Sequence, residues 1–247
     1  MNLNVFKSEQ EVLQRLAEFF ITVAQQSISA NGRFSVALSG GSSPKKLYEL
    51  LASDYKNKLE WNKVYFFFGD ERYVSHTDPK SNYLMVKKAL FDPLVISETQ
   101  IFPVDTSVEP KVAAQKYTEV IRDFFKKEEM SFDLVLLGLG DNSHTASLFP
   151  NTPVLNDELP SVKEVYLEDQ QVYRITFNAP LINLAHHITF LVYGEGKAAA
   201  VHHVIEDKQD INNFPAQLIK PVKGELQWFL DSAAASKLIT SSGLSLL

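Results

Sequence analysis

Short apolar runs that alternate with helical segments are the feature that most restricts the fold of this chain. Most runs are five or six residues long, and several are apolar on both faces, as strands are when helices cover both sides of a sheet. The strands are predicted at residues 34–38, 63–68, 132–140, 172–177, 188–193 and 226–230. Because 247 residues can bury a large core, the alternation predicts one α/β domain over residues 1–247, built on a parallel sheet.

Helices are predicted between these strands. The tetrapeptide SEQE at residues 8–11 has the pattern of a capping box and would open an amphipathic helix that reaches about Ser27. Further helices are predicted at residues 45–52, 81–91, 109–127 and 179–187, from about Gly196, and at residues 231–238.

Four polar segments directly follow predicted strands, at residues 39–44, 69–73, 138–144 and 194–197. In parallel α/β sheets, ligands bind beyond the carboxyl ends of the strands. We therefore expect these four segments to meet in one site.

The segment SGGSSPKK, at residues 39–46, has the composition of an anion-binding loop. Gly40 and Gly41 permit a close approach of the backbone, and Ser42 or Ser43 can cap the helix that follows. The exposed N–H groups and the helix dipole would attract a phosphate. An ordinary strand-to-helix turn remains the alternative.

Charged residues in the other segments are candidates for binding and for acid–base chemistry. Asp70 can act as an acid, a base or an orienting group, and Arg72 can bind phosphate, unless both belong to a solvated loop with internal ion pairs. Lys197 is predicted at the start of a helix, where its charge opposes the helix dipole, so a bound anion would account for it. Arg174 lies within a predicted strand, where a structural ion pair and a ligand contact both remain open.

His144 is the candidate general base. A neutral imidazole near pH 7 can take a proton from water. A single histidine is more often structural, but His144 follows a predicted strand and is grouped with three other polar strand ends, which favours catalysis. The adjacent Ser143 does not indicate a serine nucleophile, because neighbours in sequence do not form a nucleophile–base pair and the G-x-S-x-G motif is absent.

The composition excludes several classes of function. The chain has no cysteine, which excludes disulfides, thiolate catalysis and Cys-ligated metals. Its net charge of −6 argues against general nucleic-acid binding, which requires a basic surface. The adjacent pairs His186, His187 and His202, His203 would point in different directions on a helix and make poor chelates, so we expect no metal and no cofactor.

The N-terminus lacks an apolar stretch of signal-peptide length. No apolar run approaches the ~18 residues that would span a bilayer. We therefore expect a cytoplasmic protein without a membrane partner, present as a monomer or a weak homodimer.

Five ordered segments cover nearly the whole chain with a recognisable spacing. They read LSGGSSPKKLYELL, WNKVYFFFGDERYVSHTDPKSNY, LLGLGDNSHTASLFP, RITFNAPLINLAHHITFLVYGEGKA, and FPAQLI followed by WFLD. Together they resemble the glucosamine-6-phosphate isomerase/6-phosphogluconolactonase family. The resemblance implies a Rossmann-like, mostly parallel α/β sheet with helices on both faces. It also implies a phosphosugar lactone as substrate, 6-phospho-D-glucono-1,5-lactone, hydrolysed without a metal or nucleotide in the second step of the oxidative pentose phosphate pathway.

The same resemblance implies roles for the candidate residues. His144 would activate a water molecule, with Asp70 lining the site nearby. The glycine loop would cradle the phosphate, and the basic residues would supply positive charge. The residues that would bind the substrate are Gly40, Gly41, Ser42, Ser43, Arg72, Asn82, Arg174 and Lys197.

The chain departs from the family at the histidine loop. The usual D-G-H-T reads N-S-H-T here, so Asn142 replaces an aspartate and Ser143 replaces a glycine. The carbonyl of Asn142 can accept a hydrogen bond from the imidazole but brings no charge to support imidazolium. Asn142 is therefore a catalytic candidate through this hydrogen bond. Asp141 would compensate for the lost charge only if the backbone of this loop differs from that of the family.

Two other functions are weighed against the lactonase. The deaminase branch of the family releases ammonia from an amino sugar phosphate with two carboxylates, whose positions are Asn142 and Phe149 in this chain. A non-catalytic sugar-phosphate-binding protein is supported only by the change at Asn142.

Overall fold

The computed structural model describes residues 1–126 and 128–239. The strands are β1 (Asn2–Phe6), β2 (Phe34–Leu38), β3 (Val64–Phe68), β4 (Asp70–Arg72), β5 (Leu134–Leu137), β6 (Val162–Leu167), β7 (Val172–Phe177), β8 (His187–Val192) and β9 (Glu225–Asp231). The helices are α1 (Glu9–Asn31), α2 (Ser42–Ser53), α3 (Asn82–Val86), α4 (Asp92–Leu94), α5 (Pro110–Phe124), α6 (Ala179–Ile182) and α7 (Ala198–Ile205), with a π-helical turn (Lys87–Phe91) between α3 and α4. None of the helices in these ranges combines the length and hydrophobicity needed to cross a lipid bilayer.

A six-stranded sheet with the order β1-β9-β8-β5-β2-β3 forms the centre, and its strands pair in parallel throughout. Successive side chains of a strand point to opposite faces. Val36 and Leu38 therefore pack in the cluster that contains residues of α1 and α2, whereas Ala37 packs in the cluster that contains residues of α5 and α7. The predicted α/β fold, with helices on both faces of a parallel sheet, is confirmed.

Helix α1 begins where predicted and ends later. Oγ of Ser8 accepts the N–H of Glu11 at 3.3 Å, which satisfies one of the free donors of the first turn. Gly32, with φ of 74°, ends the helix in the left-handed conformation that glycine adopts at little cost. The helix therefore reaches Asn31 instead of stopping near Ser27.

A second sheet has three strands in the order β4-β7-β6. The assignment of residues 172–177 to the parallel sheet is wrong, because β7 pairs antiparallel with both β6 and β4. The short turn between β6 and β7 permits only antiparallel pairing. β4 follows β3 after the single residue Gly69, so this small sheet is attached at the carboxyl end of the parallel one.

The helix predicted at residues 231–238 does not form. The carboxylate of Asp231 accepts the N–H of Ala234 at 2.7 Å, as a helix cap would. The N–H of Ala235 also donates to the carbonyl of Asp231, four residues back, at 3.0 Å. The following backbone bonds, however, join residues three apart, from Ser236 to Ala233 and from Leu238 to Ala235, and give consecutive turns. Helix propensity and the cap are outweighed here by packing of the alanines into the core.

Candidate active site

A cleft of about 400 Å³ lies at the carboxyl end of the parallel sheet, where the small sheet meets it. Its volume is in the range of small-molecule sites. The predicted site residues that line it are Gly40, Gly41, Ser42, Ser43, Asp70, Arg72, His144, Arg174 and Lys197. The structure therefore brings together the segments that follow four predicted strands.

The glycine loop presents the start of α2 to the cleft. Gly41, with φ of 110°, precedes the helix, and no side chain caps the first turn. The predicted caps Ser42 and Ser43 lie inside that turn instead. Tyr48 fixes the loop from the buried side, because its hydroxyl donates to the carbonyl of Ser39 at 2.8 Å and accepts its N–H at 3.0 Å. The uncapped helix start leaves N–H groups and the positive end of the dipole available to an anion.

The loop that carries His144 is closed by its own backbone. The N–H of Gly140 donates to the carbonyl of His144 at 2.8 Å, and the N–H of Ser143 donates to the carbonyl of Gly140 at 2.9 Å. Ser143 has φ of 61°, a left-handed conformation that costs a non-glycine residue about 1 kcal/mol. The family glycine is therefore replaced at a position where glycine would be less strained.

Asn142 is exposed and orients the imidazole through one ring nitrogen. Nδ1 of His144 lies 2.5 Å from Oδ1 of Asn142. Because an amide oxygen only accepts, Nδ1 carries the proton and Nε2 keeps the lone pair that a general base needs. The carboxylate of Asp141 pairs with Nζ of Lys197 at 2.5 Å, which offsets much of its charge.

Phe149 covers the imidazole of His144. The two rings are stacked with centroids 4.1 Å apart and planes 21° apart. Burial lowers the pKa of His144 below its usual value, while the charge of Asp70 opposes this shift and the charge of Lys197 adds to it. Burial therefore favours the neutral imidazole, the form that can accept a proton.

Asp70 is held in the cleft by neutral donors. Oγ of Ser147 donates to Oδ2 at 2.7 Å, and Nδ2 of Asn82 lies 3.3 Å from Oδ1 and 2.9 Å from the backbone oxygen. Asn82 does not line the cleft as expected: it is 1% exposed and packs against Gly40, where a Cβ would lie 1.9 Å from its Oδ1. We infer that Asn82 positions Asp70 and does not contact a ligand.

Glu71 fixes the backbone next to Asp70 and Asn82 from the core side. Its buried carboxylate accepts the N–H groups of Arg72 at 2.7 Å, Asn82 at 2.7 Å and Tyr83 at 2.8 Å. Burial raises the pKa of Glu71, and these three backbone donors oppose the increase. The contacts join β4 to the start of α3.

Arg72 and Arg174 lie directly opposite each other on β4 and β7. Arg72 donates to the carbonyl of Lys80 at 2.8 Å, and Arg174 donates to Oε1 of Gln170 at 3.2 Å. Across residues 1–126 and 128–239, neither guanidinium forms an ion pair with a carboxylate. Burial and the charge of Arg72 both lower the pKa of Arg174. Two adjacent cations without a carboxylate in ion-pair contact favour an anion between them.

Ser147 and Gln170 line the cleft but are not among the predicted site residues. Ser147 lies three residues after His144 and is 1% exposed, and no pattern in the sequence marks this burial. Gln170 belongs to the turn between β6 and β7. Because β6 is not predicted, the sequence gives no reason to place this turn over the cleft.

Comparison with known proteins identifies relatives over almost the full length. The family model described as glucosamine-6-phosphate isomerases/6-phosphogluconolactonase matches residues 7–228. The chain is 40% identical over 242 residues to 6-phosphogluconolactonases of Synechocystis sp. and Nostoc sp., with 96% of this chain and 98% of each relative covered. The solved structure of 6-phosphogluconolactonase from Trypanosoma cruzi superposes with a TM-score of 0.87 at 29% identity, with 96% of this chain and 97% of that chain covered.

Proposed function

The chain belongs to the glucosamine-6-phosphate isomerase/6-phosphogluconolactonase family, and from this membership we propose that it hydrolyses 6-phospho-D-glucono-1,5-lactone to 6-phospho-D-gluconate. This reaction is the second step of the oxidative pentose phosphate pathway. The observation that carries the proposal is that one cleft combines three features. They are a histidine whose Nδ1 lies against an amide oxygen, two arginines without carboxylate partners, and an uncapped helix start.

The phosphate of the substrate would bind at the start of α2 and against the arginine pair. The helix N–H groups and dipole attract an anion, and each guanidinium can donate two parallel hydrogen bonds to phosphate oxygens. Lys197 is paired with Asp141, whose side chain is 81% exposed. Because an ammonium has three N–H donors, Lys197 can donate to a phosphate oxygen while it keeps this contact.

His144 would perform the proton transfers. Nε2 takes a proton from a water molecule as its oxygen attacks the lactone carbonyl, and the carbonyl oxygen becomes an oxyanion. When this intermediate collapses, the bond between the carbonyl carbon and the ring oxygen breaks, and Nε2 returns the proton to the ring oxygen. The phosphate anchor supplies positioning, since it holds the substrate at a point distant from the reacting carbon.

The deaminase alternative lacks its two carboxylates. At one of their positions Asn142 accepts the hydrogen bond of His144, and at the other Phe149 stacks on the ring. An amide and a phenyl ring cannot exchange the protons that amino-sugar ring opening and deamination require.

The proposal is tested by generating the lactone in situ and following 6-phosphogluconate formation with a coupled dehydrogenase. We expect a rate well above the spontaneous hydrolysis, with no release of ammonia from glucosamine 6-phosphate. A rate equal to the spontaneous one would disprove the enzyme assignment. Ammonia release would assign the deaminase reaction instead.

A side chain at Gly140 is expected to displace the base. A Cβ at this position would lie 2.0 Å from Nδ1 and 2.1 Å from Cε1 of His144, so the ring must move in Gly140→Ala. Because a displacement of about 1 Å in a catalytic group can cost 10²-fold, we expect kcat to fall by roughly 10- to 100-fold.

The matched control is Gly196→Ala, since nothing lies within 4 Å of a Cβ at that position. Its kcat should equal that of the wild type. If Gly140→Ala retained wild-type kcat while remaining folded by circular dichroism, the placement of His144 as the base would be wrong.

A further inference from the structure

His144 lacks the counter-charge that its own loop would be expected to provide. Its hydrogen-bond partner Asn142 is neutral, and the carboxylate of Asp141 is paired with Lys197. In the proposed reaction the imidazole becomes a cation, which a neighbouring negative charge stabilises. The imidazolium of His144 therefore forms without a counter-charge unless another carboxylate of the cleft supplies one.

Asp70 is the carboxylate of the same cleft whose charge is not cancelled. It accepts hydrogen bonds from a hydroxyl, Oγ of Ser147 at 2.7 Å, and from an amide, Nδ2 of Asn82 at 3.3 Å. In the described residues it forms no ion pair with a lysine, arginine or histidine. Neutral donors add no opposite charge, so they leave the net charge of a carboxylate intact.

Ser147 connects the histidine loop to the strand that carries Asp70. Its N–H donates to Oγ1 of Thr176 at 3.1 Å, and Thr176 lies opposite Asp70 in the pairing of β4 with β7. Its hydroxyl contacts the carboxylate itself, and its side chain is buried. Because Ser147 lies three residues after His144, its two contacts tie the histidine loop to β4 and β7.

We propose that Asp70 is the counter-charge of the His144 imidazolium and that Ser147 is the positioning residue that holds this carboxylate towards the histidine. The assignment rests on the proposed function for its catalytic meaning, but the placement of both side chains in one cleft does not depend on that function.

The charges around the imidazole agree with this assignment. Asp70 is the strongest of the charges that act on the pKa of His144 and raises it, and Asp141 raises it less. Lys197 and Arg174 lower it, as does burial of the ring. Asp70 on β4 therefore has a larger effect than Asp141, which lies only three residues before the histidine in the chain.

The test is an NMR titration of the Cε1–H resonance of His144, identified by its absence in His144→Ala. We expect Asp70→Asn to lower the pKa of His144 by about one unit, because a neighbouring carboxylate shifts a pKa by 1–3 units. Ser147→Ala should lower it in the same direction by less. Asn142→Asp should raise it. Asp141→Asn is the matched control and should shift it by less than Asp70→Asn does.

The pH dependence of kcat/KM gives the second readout. The rate rises with pH as His144 loses its proton, so Asp70→Asn should move this acidic limb to lower pH and Asn142→Asp should move it to higher pH. The double variant should return towards the wild-type position. An Asp70→Asn enzyme with raised KM and an unmoved limb would show that Asp70 binds substrate only, and overturn the proposal.

Failure of the two assignments can be distinguished. The titration requires no turnover, so absence of lactone hydrolysis would reject the proposed function while the NMR shifts still decide the role of Asp70. An unchanged pKa of His144 in Asp70→Asn would reject the counter-charge in an active enzyme. If Ser147→Ala lowered the melting temperature without moving either the pKa or the limb, its role would be structural.

Discussion

Replacing His144 by alanine is expected to lower kcat for lactone hydrolysis by about 10²- to 10⁴-fold, the range that a positioned general base contributes. The side chain lines the cleft, and its hydrogen bond to Asn142 leaves Nε2 unprotonated. KM should change little, because the proton transfer is made in the transition state and not in substrate binding. The measurement is the initial rate of 6-phosphogluconate formation, corrected for spontaneous hydrolysis.

The control for this variant is His186→Ala. His186 is exposed and precedes β8, at the end of the sheet opposite to the cleft. Wild-type kcat is expected for the control, with unchanged thermal unfolding for both variants. Full activity of His144→Ala would reject the general base while leaving the lactonase function open to another catalytic group.

The second large effect is expected from the arginine pair. A hydrogen bond to a charged group contributes about 1.5–3 kcal/mol, and 1.4 kcal/mol corresponds to tenfold in affinity. Arg72→Met and Arg174→Met should therefore each lower kcat/KM for the phosphorylated lactone by roughly 10- to 100-fold. Methionine retains part of the apolar stem, so the loss reports the guanidinium.

A substrate without phosphate separates anchoring from chemistry. With D-glucono-1,5-lactone, the arginine variants should hydrolyse as fast as the wild type, because no phosphate is present to be held. Arg122→Met is the control, since Arg122 pairs with the exposed Glu119 on α5. Equal losses on both lactones would show that the arginines act on the reacting group or on folding, and would contradict a phosphate site.

The features that depend on local periodicity are predictable from the sequence. The parallel strands appear as apolar runs because both faces are buried, and the polar segments after them mark the cleft because parallel strands share a carboxyl edge. His144, Asp70 and Arg72 lie in these polar segments, so the sequence predicts them as site residues.

The remaining features depend on contacts between distant segments. The pairing of β7 with β4 places Arg174 opposite Arg72, and no local pattern records that register. The sequence predicts Asn82 in the cleft wall, but in the structure it packs on Gly40 and lies behind Asp70. No local pattern predicts this contact. The partner of Asp141 is likewise a lysine 56 positions further along the chain.

The cleft draws its parts from two sheets. The base is carried by a loop after β5 of the parallel sheet, whereas Arg72, Arg174 and the turn with Gln170 belong to the antiparallel one. Asp70 and Arg72 share the short strand β4, so a shift of the small sheet against the parallel one would move the proposed counter-charge of His144 and a proposed phosphate ligand together. Binding of the substrate and proton transfer are therefore coupled through the packing of the two sheets.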